Sequence, residues 1–273
     1  MGDLPQPSYP IFIGGAGRSG TTLVRAILDS HPRIACGPEL KIGHYILRQW
    51  QGLKAIQAAL YDAQTVTQQE ADEIYRTLFL GLLEPYRAKC GKPRVAEKTP
   101  NNVLYFPWLH ALFPQSPLIH VIRDGRDVVA SLQGVSWVNV GTGEAVAYTK
   151  DVARAARYWK ETVEIGRDAG HSIGERYLEV RYEALASAPE ATLRELFAHI
   201  GEAWDARVLD FHRIIRSDEP NALEISRPIS PASVGRWRRD LSPGELRTVM
   251  QIAGPALEEL GYLQREELSQ ATG

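Results

Sequence analysis

The sequence predicts an α/β protein in which helices cover both faces of a central parallel sheet, giving three layers. Short apolar runs alternate with longer amphipathic segments along the chain, and this alternation is typical of strand–helix–strand units. The chain has 273 residues, of which 44% are hydrophobic and 23% charged, as in ordinary globular proteins. Since no repeat or linker divides the sequence, we expect one domain over residues 1–273, with its core at about residues 9–262.

Four short segments have the composition of buried parallel strands. Each is rich in apolar residues and leads into a turn or a polar segment. They cover residues 9–13, 94–97, 118–122 and 177–180. The first is followed by Gly14-Gly15 and the third by Arg123-Asp124-Gly125, so both strands are expected to end in tight turns.

The segments between these strands predict helices. Thr67 and Glu70 have the spacing of a capping box, and an apolar stripe of Ile74, Leu78 and Leu82 follows on the same helix. The predicted helices cover residues 21–30, 67–89, 103–113, 125–133, 144–168 and 189–199, and a closing helix begins at Ser242-Pro243 after a surface loop at 217–235.

Charge, cysteine content and the N-terminal residues disfavour several classes of protein. The 31 Lys and Arg against 33 Asp and Glu give a net charge of −2, which argues against nucleic-acid binding. The sequence has no signal-peptide pattern and no run of about 18 apolar residues, so we expect a cytoplasmic protein without a membrane span. Cys36 and Cys90 are too few for a disulfide framework and match no zinc spacing with the seven histidines, so no metal is expected.

The segment after the first strand is the most informative. Residues 15–22 (GAGRSGTT) fit the G-x-x-x-x-G frame of a P-loop, whose backbone N–H groups and following helix bind an anion, so the fold is expected to be P-loop-like. Thr21 stands where a P-loop nucleoside triphosphatase has lysine, and Arg18 can supply the charge as a bidentate clamp. A glycine-rich turn without a ligand is the alternative. The predicted ligand-binding residues are Gly17, Arg18, Ser19, Gly20, Thr21 and Thr22.

Residues 12–23 resemble the 5′-phosphosulfate loop of the sulfotransferases that use 3′-phosphoadenylyl sulfate (PAPS). The continuation at residues 25–37 is most similar to the tyrosylprotein sulfotransferases, and a weaker similarity extends from Tyr9 to Tyr262. The resemblance implies transfer of a sulfuryl group from PAPS to an acceptor hydroxyl, with 3′,5′-ADP as the product. The first expectation for the acceptor is a phenol, either a protein tyrosine or a small metabolite.

Residues 121–131 resemble the 3′-phosphate segment of that family. The matching phosphate ligands are Arg123 at the strand end and Ser131 eight residues later, and an arginine and a serine so placed can converge on one phosphate. Two other interpretations stay open. Asp124 has the position of a Mg²⁺-binding acid, and Arg123, Asp124 and Arg126 can form a structural salt-bridged turn.

Two later segments resemble elements of the family that contact the nucleotide. Tyr182, in Tyr-Glu-Ala-Leu after the fourth strand, matches a tyrosine beside the nucleotide, although a core aromatic residue would give the same pattern. Arg236, before Trp237, matches a basic residue that reaches the phosphate, and a solvated cluster with Arg238 and Arg239 is the alternative.

By the same resemblance, Glu39 is the general base, Lys98 is the cation at the bridging oxygen, and Arg18 holds the sulfuryl or 5′-phosphate side. Pro38 replaces the first of two adjacent acids of the family. Because a free Glu has a pKa of about 4.3 and a phenol one of about 10, Glu39 must accept the proton as it becomes acidic in the transition state. A solvated Glu39 and an ordinary surface pair of Glu97 with Lys98 are the alternatives.

The sequence also departs from the family. Val135 replaces an arginine of the 3′-phosphate segment, whose role would fall to Arg236 or Arg227. Lys41 replaces a peptide-binding arginine, keeping the charge without the bidentate fork, and the slightly acidic chain does not favour an acidic acceptor by long-range attraction. Residues kept as alternatives are His44 and His120 for the base, Trp50, Tyr61 and 134–149 for the acceptor pocket, and Asn221 or Ser226 for a serine of the family.

The sequence is compatible with two other functions. A P-loop kinase would transfer phosphate from ATP with Mg²⁺, and the missing lysine argues against it. A non-catalytic nucleotide-binding module would not need both Glu39 and Lys98. The acceptor, a peptide or a small molecule with a hydroxyl, is left open, as is the oligomeric state, with which a homodimer is compatible.

Overall fold

A five-stranded parallel sheet is the centre of the computed structural model, which describes residues 9–59, 67–139, 142–214 and 225–263. The strands are β1 (Ile11–Gly14), β2 (Ile34–Cys36), β3 (Arg94–Lys98), β4 (Leu118–Ile122) and β5 (Tyr177–Arg181). Their order is β2-β3-β1-β4-β5, and all neighbours are parallel. The four predicted strands are confirmed, and β2 is an additional strand at the edge beside β3.

Helices cover the sheet on both faces, which confirms the predicted α/β fold. The α-helices are α1 (Thr21–Ser30), α2 (Gly43–Ala59), α3 (Gln68–Cys90), α4 (Phe106–Leu112), α5 (Gly125–Gln133), α6 (Val152–Ile173), α7 (Tyr182–Ser187), α8 (Pro189–Ile200), α9 (Trp237–Asp240) and α10 (Pro243–Glu259). Short 3₁₀-helices lie at Pro100–Tyr105, Ala147–Thr149, Gly174–Arg176, Ala206–Arg213 and Pro231–Ser233.

Alternate side chains of β1 pack on opposite faces of the sheet. Ile11 and Ile13 lie in a core with α1 and α8, whereas Phe12 between them packs against Phe79 and Phe113. All three strand residues are completely buried. A strand buried on both faces needs a nearly continuous apolar run, which is why the strand segments were recognisable in the sequence.

The apolar stripe predicted on α3 does not form its buried face. The capping box of Thr67 and Glu70 is present, but Ile74, Leu78 and Leu82 are 57%, 48% and 40% exposed. The buried positions are Ala71, Phe79 and Leu83. Apolar residues occur on two adjacent stripes of this helix, and packing against the rest of the chain, rather than periodicity, selects one of them.

Two predicted helical segments begin later than expected, and three helices, α2, α7 and α9, were not predicted. Residues 100–105 form a 3₁₀-turn before α4. The helix predicted from residue 144 begins at Val152, because Asp151 caps it and residues 138 and 145 pair in a β-bridge. α2 had no prediction, and the loop predicted at 217–235 is described only from residue 225. Among the helices of the described ranges, none has the length and apolar composition needed to cross a membrane.

The strand order places the carboxyl end of β1 between two crossovers. The chain leaves β1 toward β2 on one side and later returns to β4 on the other. In an open parallel sheet, such a reversal leaves a crevice beyond the strand ends, where ligands bind. The segments that follow β1, β3, β4 and β5 meet at this edge, and these segments carry most of the predicted site residues.

Candidate active site

The loop between β1 and α1 requires glycine at two positions. Gly15 has φ +153° and donates its N–H to the Pro100 carbonyl over 2.9 Å, and a Cβ there would lie 2.3 Å from the Val121 carbonyl oxygen. Gly20 has φ +98°, and a Cβ there would lie 2.6 Å from the Tyr182 ring. Both features confirm a tight strand-to-helix loop whose backbone is closely surrounded.

Arg18 is the centre of this loop and reaches across to α5. Its backbone is left-handed, with φ 72°, a conformation that costs a non-glycine residue about 1–2 kcal/mol. Its Nε donates to Ser131 Oγ over 3.0 Å. Arg123 approaches from β4 and donates from Nη1 to the Arg18 carbonyl oxygen at 3.4 Å. Three predicted ligand-binding residues are therefore brought together.

The loop and its neighbours contain buried polar atoms that suit an anionic ligand. Ser19 is completely buried and Arg123 is 5% exposed, and neither Ser19 Oγ nor Arg123 Nε has a hydrogen-bond partner within the described residues. An unpaired buried polar atom is unfavourable, and a phosphate or sulfate oxygen would satisfy both kinds of donor. Thr21 and Thr22 continue the loop at the N-terminus of α1, where the backbone favours negative charge.

Arg123 is held by aromatic and acidic neighbours. Its guanidinium lies 4.4 Å from the centre of the Tyr182 ring, and its Nη2 donates to Asp127 at 3.4 Å and to the Ser233 carbonyl oxygen. Tyr182 OH and Ser233 Oγ share a hydrogen bond of 2.7 Å. Tyr182 thus borders both Gly20 and Arg123, and its expected contact with the nucleotide stays a prediction.

Asp124 belongs to a structural pair. It accepts from Arg126, with Nη2 to Oδ2 at 2.8 Å, and it caps α5. Arg126 in turn stacks on Trp237 at 4.3 Å and donates to the Tyr262 carbonyl oxygen. The salt-bridged turn considered from the sequence therefore exists between Asp124 and Arg126, whereas Arg123 pairs with Asp127. This engagement leaves Asp124 poorly suited to bind Mg²⁺.

Arg236 pairs with an acid at the end of α9, and its expected contact with the donor phosphate stays a prediction. Its Nε and Nη2 contact the Asp240 carboxylate at 2.8 and 2.7 Å, so its guanidinium is engaged by an acid one turn further along α9. The backbone on both sides is fixed instead by Asp127, which accepts from Gly235 N at 2.8 Å and from Trp237 N at 3.0 Å. The sequence interpretation missed Asp127, although an acid in the first turn of a helix was visible.

Lys98 joins the predicted base to the phosphate loop. It is the last residue of β3 and pairs in register with Ile13 of β1. Its Nζ donates to Glu39 Oε1 at 2.5 Å and to Thr22 Oγ1 at 3.3 Å. The Lys98 side chain is 3% exposed, whereas that of Glu39 is 28% exposed, so Glu39 remains accessible from solvent. This arrangement places a carboxylate and a buried cation together at the mouth of the loop.

The alternative of a surface pair between Glu97 and Lys98 is wrong. Glu97 is 2% exposed and accepts hydrogen bonds from Thr99, Asn102 and the Leu40 N–H. Burial raises its pKa above the usual value, against these hydrogen bonds. The two side chains point away from each other, because neighbours along a strand alternate between its faces.

A sequence profile of the sulfotransferase family matches residues 10–206. The chain belongs to the sulfotransferase family. Protein-tyrosine sulfotransferase A of Caenorhabditis elegans is 30% identical over 92% of this chain and 67% of its own length. Protein-tyrosine sulfotransferase 2 of Gallus gallus is 29% identical, with 92% and 69% covered. These matches confirm the predicted PAPS-dependent O-sulfotransferase and do not favour a kinase.

Solved structures support the fold. The sulfotransferase domain of the Synechococcus PCC 7002 olefin synthase superposes with a TM-score of 0.60 at 24% identity, covering 92% of this chain and 97% of that one. A mouse sulfotransferase, SULT7A1, complexed with PAP superposes with a TM-score of 0.56 at 14% identity, covering 93% and 86%. At these identities the likeness shows the α/β sulfotransferase architecture and no more.

Aromatic residues of the sulfotransferase cover the outer side of the phosphate loop. Gly17 N donates to Tyr158 OH over 2.8 Å, and a Cβ on Gly17 would lie 3.0 Å from the Trp137 ring. Tyr158 stacks on Tyr148 with ring centres 4.1 Å apart, and burial raises the pKa of Tyr158, which therefore stays a neutral hydroxyl. Trp137 and Tyr148 of the segment 134–149 thus lie beside the phosphate loop, whereas the expected role of this segment in an acceptor pocket stays a prediction and Tyr158 was missed.

Of the two histidines considered as alternative bases, His120 does not suit that role, and His44 stays an untested alternative. His120 is completely buried and hydrogen-bonds to Tyr177 OH at 2.7 Å, and burial lowers its pKa to about 3. The His44 ring lies tilted against that of Tyr45, with ring centres 4.0 Å apart, and burial lowers the pKa of His44. Among the described interactions neither histidine contacts Lys98 or residues 15–22, whereas His44 hydrogen-bonds to the backbone of Lys41 in the segment that carries Glu39.

The remaining residues predicted for the acceptor pocket or for a cation differ in burial. Trp50 is completely buried in the sulfotransferase core and donates to Asp72 over 2.7 Å, so its proposed place in an acceptor pocket is wrong. Lys41 is exposed and lies two residues after Glu39, with φ 55°. Val135 packs in the core around α5, α6 and α10. Arg227 and Ser226 are exposed, and Tyr61 and Asn221 lie outside the described residues.

Proposed function

We propose that this sulfotransferase transfers the sulfuryl group of PAPS to the phenolic hydroxyl of a tyrosine in a peptide or protein, releasing 3′,5′-ADP. The observation that carries the proposal is the contact of Lys98 with both Glu39 and Thr22, which joins a base to the anion loop. Relatives named protein-tyrosine sulfotransferases support a tyrosine acceptor.

The donor-binding residues divide into two groups. Residues 17–22 and the N-terminus of α1 would hold the 5′-phosphosulfate, since backbone N–H groups bind such an anion. Arg123, Ser131 and Tyr182 would hold the 3′-phosphate and the nucleoside beside it. Arg18 was predicted on the sulfuryl side, but its hydrogen bond to Ser131 favours a role with the 3′-phosphate. That contact supplies a cation where Val135 replaces an arginine of the family.

The reaction needs a proton acceptor and a cation. The phenol oxygen forms a bond to sulfur while the bond from sulfur to the bridging phosphate oxygen breaks, and the phenol proton passes to the Glu39 carboxylate. Lys98 stabilises the charge that develops on the departing phosphate oxygen. Because side chains supply the positive charge, we propose that no metal takes part.

The residues expected to face the acceptor, Glu39 and Lys41, are more exposed to solvent than Lys98 beside the donor loop. Glu39 is partly accessible, and the exposed Lys41 follows it, so a tyrosine that reaches Glu39 brings its neighbouring residues near one positive charge. A net charge of −2 gives no long-range attraction for strongly acidic proteins. We therefore propose that local contact with Lys41 guides the acceptor. A cytoplasmic location and a homodimer stay predictions.

Transfer of labelled sulfate tests the proposal. The protein is incubated with ³⁵S-labelled PAPS and three acceptors, namely an acidic tyrosine peptide, its neutral counterpart and a small phenol. The same peptides with Phe in place of Tyr are the matched controls. Label in the tyrosine peptides alone is expected. Label in the small phenol but in neither peptide would overturn the peptide acceptor, and no transfer to any hydroxyl acceptor would overturn the phenol assignment.

A further inference from the structure

Glu97 lies immediately before Lys98 at the end of β3 and is almost completely buried. Its Oε1 accepts from Thr99 Oγ1 at 2.6 Å and from Leu40 N at 3.2 Å, and its Oε2 accepts from the Asn102 amide. A buried carboxylate is expensive unless donors surround it. Three donors do so here, and one of them is a backbone N–H of the segment that carries Glu39.

These hydrogen bonds connect the Glu39 loop, residues 37–42, to the end of the sheet. Leu40 follows Glu39 directly, and Lys41 N donates to the Thr99 hydroxyl at 3.4 Å. Asn102 donates from the same amide nitrogen to the Ile13 carbonyl oxygen at 3.1 Å. The carboxylate therefore ties the loop to the ends of β3 and β1, the two strands from which Lys98 and the phosphate loop extend.

We propose that Glu97 is a positioning residue that fixes the Glu39 loop, so that the Glu39 carboxylate stays against Lys98. The inference rests on the function proposed above for Glu39. Without Glu97, the backbone next to the base would lose its anchor to the sheet. Lys41, with φ 55°, shows that the loop adopts a conformation that non-glycine residues rarely take unless surrounding contacts hold it.

Glu97→Gln tests the role with little change of volume. The amide oxygen can accept from Leu40 and Thr99, but the amide nitrogen then faces the Asn102 donor, so one arm of the anchor is lost in either orientation. We expect kcat to fall about tenfold, because a small displacement of a base is costly. The dissociation constant of 3′,5′-ADP should stay within about twofold, since the donor loop keeps its contacts.

A double-mutant cycle separates positioning from general destabilisation. In a Glu39→Gln background, Glu97→Gln should change kcat by less than about twofold, because its effect passes through the missing base. Full multiplicative losses in the double variant would overturn the proposal, as would an unchanged kcat in Glu97→Gln alone. Thr99→Val and Thr99→Ser are a matched pair. Only the valine variant, which lacks the hydroxyl, should have a reduced kcat.

Hydrogen exchange of the Leu40 and Lys41 amides gives a readout that does not depend on activity. Exchange should accelerate in Glu97→Gln and Thr99→Val and stay slow in Thr99→Ser, because only the first two lose acceptors or anchors. Unchanged exchange would overturn the proposal even in an active enzyme. A wild-type protein that transfers no sulfate would instead refute the proposed function, and the exchange result would still decide whether Glu97 holds the loop.

Discussion

Arg18 Nε donates to Ser131 Oγ over 3.0 Å, although the two residues are 113 positions apart in the chain. The contact joins the phosphate loop to α5 and places a guanidinium beside the serine predicted to bind the 3′-phosphate. Arg123 completes the group by donating to the Arg18 carbonyl oxygen. The position of Arg18 therefore predicts which phosphate of the donor this arginine binds.

Arg18→Ala should weaken binding of 3′,5′-ADP by about 10–100-fold, the effect of losing a charge-assisted hydrogen bond. It should weaken 5′-AMP, which lacks the 3′-phosphate, much less. Titration calorimetry with both nucleotides measures the difference. Arg18→Lys is the control, because it keeps the charge but loses the planar fork. Equal losses for the two nucleotides would place Arg18 on the 5′ side instead.

Glu39→Gln should reduce turnover by about 10²–10⁴-fold, the usual contribution of a general base. The amide cannot take the phenol proton, but it has nearly the same shape. Steady-state transfer of labelled sulfate measures kcat, and binding of 3′,5′-ADP should not change. Lys41→Ala is the comparison, since it should raise KM for a peptide acceptor and leave kcat almost intact. A Glu39→Gln enzyme with normal kcat would remove Glu39 from the mechanism.

The fold was predictable where burial determines the residue types of a short segment. β1 and β4 are buried on both faces, so their apolar runs are nearly continuous, with His120 the one polar residue. The glycines after β1 are required by backbone conformation. β2 has only three residues, too few for a pattern. The buried face of α3 could not be predicted, because the helix has two apolar stripes that are equivalent in the sequence. Packing against the rest of the chain decides which of them is buried.

The site was predictable where residue type and sequence position identify the chemistry. The resemblance gave Glu39, Lys98 and Arg18, and the structure places the first two in contact. Asp127 and Tyr158 were missed because each acts through a residue more than 100 positions away, with Asp127 bonded to Gly235 and Tyr158 to Gly17. Nothing in their local sequence indicates such a partner.

Asp127→Ala should lower the free energy of unfolding by about 3–5 kcal/mol, the cost of removing one partner of a buried charged group. The substitution leaves the Gly235 and Trp237 N–H groups without their acceptor and removes a carboxylate next to Arg123. Urea unfolding measures the loss. Asp127→Asn keeps one acceptor oxygen and should lose less. Equal stability of Asp127→Ala and the wild type would show that these contacts contribute little.

Because of His120, we expect the free energy of unfolding to decrease as the pH falls below about 6.5, the ordinary pKa of histidine. Its pKa in the folded state is lowered to about 3, first by burial and then by the nearby Arg181 and Arg167, so the unfolded chain binds the proton first. The stabilisation is complete above the unfolded pKa and is lost between about pH 6.5 and 3, at up to about 1.4 kcal/mol per pH unit.

Urea unfolding of wild type and His120→Gln at several pH values between about 7.5 and 4.5 tests this dependence. The glutamine can still hydrogen-bond to Tyr177 OH but does not titrate, so its stability should fall less steeply with acid. The slopes should differ by up to one proton, while His31 and His199, whose pKa values burial also lowers, keep part of the slope in both proteins. Identical slopes would mean that His120 does not gain a proton on unfolding, because it is already protonated in the folded protein.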